Sequence, residues 1–345
     1  MSSLFIGQVP PFRGGISQYN AQLINEMNKI ENFQVVSFKK MYPKLFYPGK
    51  SEYDFSQSWT TPPNTTFSIK LLNPLTWRKA VNLINQNNFD KVILTWWNLV
   101  HYPFYLYLLL SLSSVKFYVI SHNLSGHSKN KLYNFLSKKI LKFKNIKYIF
   151  HHEDIDKFNS NLVKLPMPLH SFNLDSIQYK NSKFTILFFG FIRDYKGVDK
   201  LMDIIEKLGS DIELIIAGEN WSNLEINHRK VRYINKYISD QELVNLISNS
   251  DVIFLPFSEI TGSGSLSMAM YYDKPIITTS SKTTKELLSH LEDSFLIQHE
   301  DFVNEVLEFI NSCKNTEYYE KLVRNAKKRK KYLFKNYASD LLDYF

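Results

Sequence analysis

Glu259-Ile260-Thr261-Gly262-Ser263-Gly264-Ser265 places a carboxylate and a run of small residues just ahead of an apolar, helix-compatible stretch. N–H groups at the start of a helix have no intrahelical acceptor, and the helix dipole favours negative charge there. Gly262, Ser263, Gly264 and Ser265 therefore form a candidate anion site. Glu259 is a poor ligand for that anion, because like charges repel. Its natural partners are hydroxyl groups on whatever the anion carries, and phosphate beside a polyol is the chemistry of a nucleotide sugar. The plainer alternative for Glu259 is an exposed loop acid or a helix cap.

Positioning such a loop requires a strand before it and a strand after it. Residues 252–255 (Val-Ile-Phe-Leu) and 275–278 (Pro-Ile-Ile-Thr) are short β-type segments around the loop and its helix, a βαβ unit. The same alternation runs along the whole chain. Strands are predicted at 3–8, 33–38, 91–96, 116–121 and 147–151, and again at 184–190, 212–217, 231–234 and 295–297, with helical stretches between them. Pro166 and Pro168, followed by the polar stretch 175–183, predict a linker. A chain of 345 residues is long for one core. The expected fold is α/β, with two Rossmann-like doubly wound parallel-sheet domains facing across a cleft. The first spans 1–168, the second 180–336, and the segment 337–345 returns to the first.

Ligands of doubly wound sheets bind at the carboxyl ends of the strands, which selects further candidates. Gly14 and Gly15 follow the first strand, where a glycine pair permits a tight turn and a close ligand approach. A simple turn is the alternative. His122 follows the strand 116–121 directly, so its imidazole is expected at the ligand-binding end, and His127 closes the same loop. Residues 39–63 form a long, aromatic, irregular connection, a type of loop that is usually functional.

Charge and composition limit the rest. Lys and Arg exceed Asp and Glu by 42 to 33, for a net charge of +9. Part of the excess lies in 129–147, seven lysines and no acid, with Leu132, Leu136, Ile140 and Phe143 at helical spacing. Two readings stand for this helix: a surface for anionic membrane, or a solvated basic face over an ordinary core stripe. A second basic run covers 321–335, but no nucleic-acid-binding motif with its required spacing accompanies either run, and no nucleic-acid partner is expected. The single cysteine, Cys313, fits a reducing compartment. No basic start followed by an apolar stretch is present, so a cytoplasmic protein is expected, peripheral on the inner face of the plasma membrane if the basic helix docks there. The uncharged run 99–115 is broken by Pro103, His101 and serines and predicts a buried helix rather than a span. His151-His152-Glu153-Asp154-Ile155-Asp156 holds metal-ligand types, but acids there also suit a helix N-terminus, and no metal is expected.

Together the segments PPFRGGISQY (10–19), the His-Asn of SHNLSGH (121–127), LFFGFIRDYKGVDKL (187–201), IAGE (216–219) and SDVIFLPFSEITGSGSLSMAMYYDKPIITT (250–279) resemble the group 1 family of retaining, nucleotide-sugar-dependent glycosyltransferases with the GT-B fold. NPLTW (73–77), Trp96-Trp97 and YPKLFYPG (42–49) are similar to a subgroup from bacterial surface-polysaccharide pathways. The resemblance implies that Arg193 and Lys196 grip the donor diphosphate. The family's arginine directly follows the strand-end glycine, where this chain has Phe191, so Arg193 is displaced by two residues. It implies that Glu259 contacts the donor sugar's hydroxyls and that His122 lies near the reaction centre. Ser267 replaces the glutamate that holds the ribose in the family. Transfer from a UDP- or GDP-linked sugar to a saccharide or lipid-linked acceptor is implied, with retention and without a metal or other cofactor. Rival expectations are a sugar-nucleotide epimerase or phosphorylase of the same fold, and a non-catalytic basic protein for membrane or nucleic acid.

Overall fold

A computed structural model describes residues 3–41, 51–55, 57–89, 91–122, 145–151, 161–172, 174–179, 181–222, 224–258, 263–299 and 302–344. The chain divides into two compact units, Met1–Pro168 with Tyr332–Phe345, and Leu169–Lys331.

The first unit is a seven-stranded, all-parallel sheet. Its strands are β1 (Ser3–Ile6), β2 (Phe33–Lys40), β3 (Thr65–Lys70), β4 (Lys91–Trp96), β5 (Lys116–Ser121), β6 (Ile146–Phe150) and β7 (Leu162–Lys164), in the order β3-β2-β1-β4-β5-β6-β7. Successive strand residues point to opposite faces, and both faces are covered. Leu4, Ile6, Val92, Leu94, Phe117 and Val119 pack into one core, and Phe5, Ile93, Tyr118 and Ile120 into the other. Helix α1 (Gly15–Met27) covers the second core beside the chain's last helix, Phe334–Leu342. That last helix buries Phe334, Tyr337, Ala338 and Leu341, one stripe at helical spacing. Lys147 donates to the Tyr344 carbonyl at 3.0 Å. One cation of the basic run 129–147 is thereby committed to the end of that helix, where the dipole favours positive charge. Residues 129–144 lie outside the described residues.

Stretch 99–115 is two pieces, a 3-10 turn Leu99–His101 and a ten-residue helix, Tyr102–Ser111, with Pro103 in its first turn. Phe104, Tyr105, Leu108 and Leu109 are buried in the core. Among the described residues no helix is long and apolar enough to cross a membrane.

The second unit is a six-stranded parallel sheet in the order β10-β9-β8-β11-β12-β13. The strands are β8 (Phe184–Phe189), β9 (Ile212–Ala217), β10 (Val231–Ile234), β11 (Val252–Leu255), β12 (Ile276–Thr279) and β13 (Ser294–Ile297). The stretch expected to be a linker, 175–183, is largely tied to this unit. The N–H groups of Ile177 and Tyr179 donate to Asn245 Oδ1 and Asn249 Oδ1 at 2.9 and 2.8 Å, and Gln241 donates to the Asp175 carbonyl. In these bonds the stretch uses its backbone groups, and the helix supplies the polar side chains. The second basic run is likewise partly committed. Arg329 forms a buried ion pair with Asp293 at 2.8 Å and also donates to the Lys274 carbonyl, and Lys331 pairs with Asp273 at 2.8 Å.

Candidate functional site

In both sheets the strand order reverses beside the unit's first strand, between β1 and β4 and between β8 and β11. Such a switch point opens a crevice at the carboxyl ends of the strands. In the second unit the loops at that point are 190–197 after β8 and 256–263 after β11, and the latter leads into the helix Gly264–Tyr271.

Three glycines allow these loops to touch. Gly190 has φ +112°, and a Cβ there would stand 2.9 Å from Ser265 Oγ. Gly218 has φ +158°, and its Cβ would overlap the Gly190 carbonyl oxygen at 1.8 Å. Gly197 has φ +69°, and its Cβ would meet the Pro256 carbonyl oxygen at 2.0 Å. Only glycine fits the latter two positions without moving backbone. The close approach is secured by Ser265 Oγ donating to the Phe189 carbonyl at 3.3 Å, and by the Ser258 N–H and hydroxyl donating to the Tyr195 carbonyl at 3.0 and 3.1 Å.

Arg193 and Lys196 lie on the first of these loops, both half-buried. The Arg193 guanidinium sits 4.5 Å from the Trp221 ring centre, and Trp221 stacks on Phe191 with centres 4.3 Å apart. The Lys196 ammonium is 4.4 Å from the Phe257 ring centre. Burial, and then the neighbouring Arg193 charge, push the Lys196 pKa down to about 8. A loop that holds two cations together at such a cost is suited to an anion, since a bound phosphate relieves both effects.

The start of the facing helix adds donors. Ser263 caps it, its hydroxyl accepting from the Leu266 N–H at 3.2 Å, while the Gly264 and Ser265 N–H groups occupy first-turn positions with no intrahelical acceptor. A Cβ at Gly264 would meet nothing within 4 Å among the described residues. Glu259 and Gly262 lie outside the described residues. Ser267 lies in the first turn of this helix. It is 5% exposed, and its hydroxyl accepts from the His170 N–H at 2.7 Å, fixing the incoming chain to the helix.

In the first unit, Gly14 has φ +98° and Gly15 begins α1, and a Cβ on either would meet nothing within 4 Å. The loop before them is strapped from outside: Gln57 donates to the Pro11 and Phe12 carbonyls, and the Arg13 N–H donates to the Glu52 carbonyl at 2.8 Å. One turn into α1, Tyr19 meets His122 edge-on, with ring centres 4.4 Å apart. The Tyr19 hydroxyl is 3.2 Å from His151 Nε2, and His151 Nδ1 is 3.2 Å from the Leu165 carbonyl. The carbonyl can only accept, so Nδ1 carries the proton and Tyr19 donates to Nε2. Both nitrogens of His151 are thus in use, which removes it as a metal ligand in this arrangement. Among the described residues no three His, Cys, Asp or Glu side chains gather where they could hold a metal. His127 and the remainder of the 151–156 cluster lie outside the described residues.

Arg193, Lys196, Ser263, Gly264 and Ser265 are therefore brought to one place in the second unit, and Gly14, Gly15 and His122 to one place in the first. Two residues of these sites, Trp221 and Tyr19, are not singled out by sequence reasoning. Trp221 carries no signal beyond its position just after IAGE, and Tyr19 has the pattern of any apolar residue on the buried stripe of α1.

Comparison with known proteins bears on this geometry. The family described as glycosyl transferases group 1 matches residues 172–329, within the second unit. No curated protein matches the chain significantly in sequence. Among solved structures, sucrose-phosphate synthase from Thermosynechococcus elongatus is similar with a TM-score of 0.76 at 13% identity, over 99% of this chain and 97% of that one. HepE from Anabaena, in complex with UDP and glucose, is similar with a TM-score of 0.71 at 13% identity over 100% of both chains. WaaG, described as a glycosyltransferase involved in lipopolysaccharide biosynthesis, has a TM-score of 0.66 at 11% identity over 99% of both. At such identities these likenesses establish the two-sheet fold of the GT-B glycosyltransferases, while the family match rests on the sequence of 172–329 itself. Residues 172–329 thus carry the sequence pattern of the group 1 glycosyl transferases.

Proposed function

We propose that the protein transfers a hexose from a UDP- or GDP-linked donor to a saccharide or lipid-linked acceptor, with retention and without a metal, in bacterial polysaccharide synthesis. The second unit is the donor domain and the first the acceptor domain. The observation that carries this reading is that the end of β8 and the loop after it are tied to Ser265 at the start of helix Gly264–Tyr271 and to Ser258, within the stretch that matches the family. That HepE, similar in fold, is described with UDP and glucose supports a nucleotide-sugar donor.

The chemistry follows from charge. The bond between the anomeric carbon and the diphosphate oxygen breaks with its electron pair leaving on phosphate. Positive charge develops on the sugar and negative charge on the leaving group. Arg193, Lys196 and the Gly264 and Ser265 N–H groups are the donors that stabilise that departing charge. The acceptor hydroxyl oxygen bonds to the anomeric carbon on the same face, and its proton passes to the leaving phosphate oxygen. Glu259 holds the donor sugar's hydroxyls, His122 lies beside the sugar, and Gly14 and Gly15 let the first-unit loop approach the diphosphate or the acceptor. The Ser267 hydroxyl, at the family's ribose position, accepts from the His170 N–H, a bond that engages its oxygen and not its proton.

The deciding experiment is turnover with UDP- and GDP-sugars. Lys196→Ala is expected to lower kcat by about 10²- to 10³-fold, the cost of removing one preorganised donor from a developing charge, and near-wild-type turnover would sink the assignment. Product that forms only with an acceptor present separates transfer from epimerisation, and independence of free phosphate separates it from phosphorolysis. The basic run 129–147 is proposed to dock on anionic membrane at the cytoplasmic face; neutralising Lys138, Lys139 and Lys142 should abolish binding to anionic vesicles, and undiminished binding counts against it.

A further inference from the structure

The chain carries its guanidinium two residues beyond the strand-end glycine's neighbour, and the fold shows how a displaced arginine is held. Segments 190–192 and 219–221 continue side by side past the ends of β8 and β9. The Ile192 N–H donates to the Glu219 carbonyl at 3.0 Å, the Trp221 N–H donates to the Ile192 carbonyl at 2.9 Å, and Ile192 pairs in parallel with Asn220. Side chains alternate along extended backbone, so with Ile192 and Asn220 on one face, Phe191, Arg193 and Trp221 share the other. Phe191 and Trp221 stack at 4.3 Å with planes 28° apart, and the Arg193 guanidinium lies 4.5 Å from the Trp221 ring centre and 5.9 Å from that of Phe191. Trp221 is itself rigidly mounted. Next to it, Asn220 closes a small turn: its Oδ1 accepts from the Ser222 N–H, its Nδ2 donates to the Leu224 carbonyl, and its N–H donates to Asn235 Oδ1. The Arg193 charge also acts on the Tyr195 hydroxyl, opposing the rise in its pKa that burial causes.

We propose that Trp221, braced by Phe191, is a positioning residue that aims the Arg193 guanidinium at the donor diphosphate and so compensates for the two-residue displacement. The inference rests on the donor-site reading above. Trp is the strongest neutral partner for a cation among side chains, and a guanidinium held on a ring face keeps its N–H edge free for phosphate oxygens. Phe191 stands where the arginine would otherwise be and serves instead as the backing of its platform.

The test titrates UDP or GDP, whichever raises the melting temperature of the wild-type protein, into a double-mutant cycle. Trp221→Leu keeps apolar bulk and loses the large ring face; Trp221→Phe keeps a face. Trp221→Leu is expected to weaken nucleoside diphosphate binding about 3- to 30-fold, the range of a cation–π contact, and Trp221→Phe to recover most of it. In an Arg193→Ala background, Trp221→Leu is expected to change affinity less than about 2-fold, because a positioning residue has nothing left to position. Equal losses in both backgrounds would overturn the inference alone, since Trp221 would then act without Arg193. An Arg193→Ala protein that binds as the wild type does, or a wild type that binds neither nucleotide, would overturn the donor-site reading and the inference with it.

Discussion

The two switch-point loops of this protein are built on one topology and differ in what they spend their polar groups on. In the first unit the loop before Gly14 is tied down by neutral hydrogen bonds involving Gln57, the Glu52 carbonyl and Gln8, and α1 beneath it buries Ser17, Gln18, Asn20 and Gln22. In the second unit the corresponding loop, 190–197, is held by glycine close contacts and aromatic rings, and it carries two cations. That first loop carries a single cation, Arg13, among neutral groups. Crowded cations in the second leave a surface that favours a dianion. The same scaffold therefore offers two different chemistries, and the difference lies in the loops alone.

Breaking the comparison at its charged side should give the largest effect, the loss of about 10²- to 10³-fold in kcat expected of Lys196→Ala. Next come the glycines. Gly218→Ala would drive a methyl group into the Gly190 carbonyl, whereas Gly14→Ala meets open space and suffers only an unfavourable φ. The first should cost about 3 kcal/mol or more, the second about 1–2 kcal/mol. For a unit of this size that is a fall in Tm of roughly 6–12 °C against roughly 2–8 °C, and calorimetry of the two variants should preserve that order. Tyr19→Phe sharpens the first-unit side: it takes the Tyr19 proton away from buried His151 Nε2, at about 1–3 kcal/mol, while leaving nucleoside diphosphate affinity untouched. Chemical denaturation reads the first and titration the second.

The smallest and most specific prediction concerns pH. The Lys196 pKa lies near 8, below its ordinary value, so the charge that attracts phosphate is complete below about pH 7 and is lost as pH rises through 8. Nucleoside diphosphate affinity should fall above pH 8 in the wild type and not in Lys196→Ala. The sign for stability is opposite. Because the unfolded lysine still holds its proton between pH 8 and its ordinary pKa, this group contributes rising stability of the empty protein over that window.

Much of the fold is legible in the chain. Strands 91–96, 116–121, 212–217 and 252–255 fall where apolar runs put them, because central strands of a parallel sheet are buried on both faces. Edge strands β3 and β7 give no such signal, since both carry half-exposed, mixed sequences (Thr-Thr-Phe-Ser-Ile-Lys and Leu-Val-Lys) that lack an apolar run. In the site, the Ser263–Ser265 turn follows from its place between a strand and a helix, whereas Arg193 and Lys196 follow from the family resemblance. Ser267 shows the limit. Its oxygen accepts from the His170 N–H, 97 residues back in the chain, a contact that no local pattern encodes.

By itself the sequence determined which residues end strands and begin helices, hence which N–H groups, cations and imidazole stand at the ligand-binding ends, because those depend on local apolar periodicity and turn chemistry. Tertiary structure alone decided how they are held: Arg193 on Trp221, Gly218 under Gly190, Tyr19 against His122 and His151. Each of these contacts joins segments far apart in the chain, and no pattern of neighbouring residues encodes the ångström-scale distances on which stacking, steric fit and a depressed pKa depend.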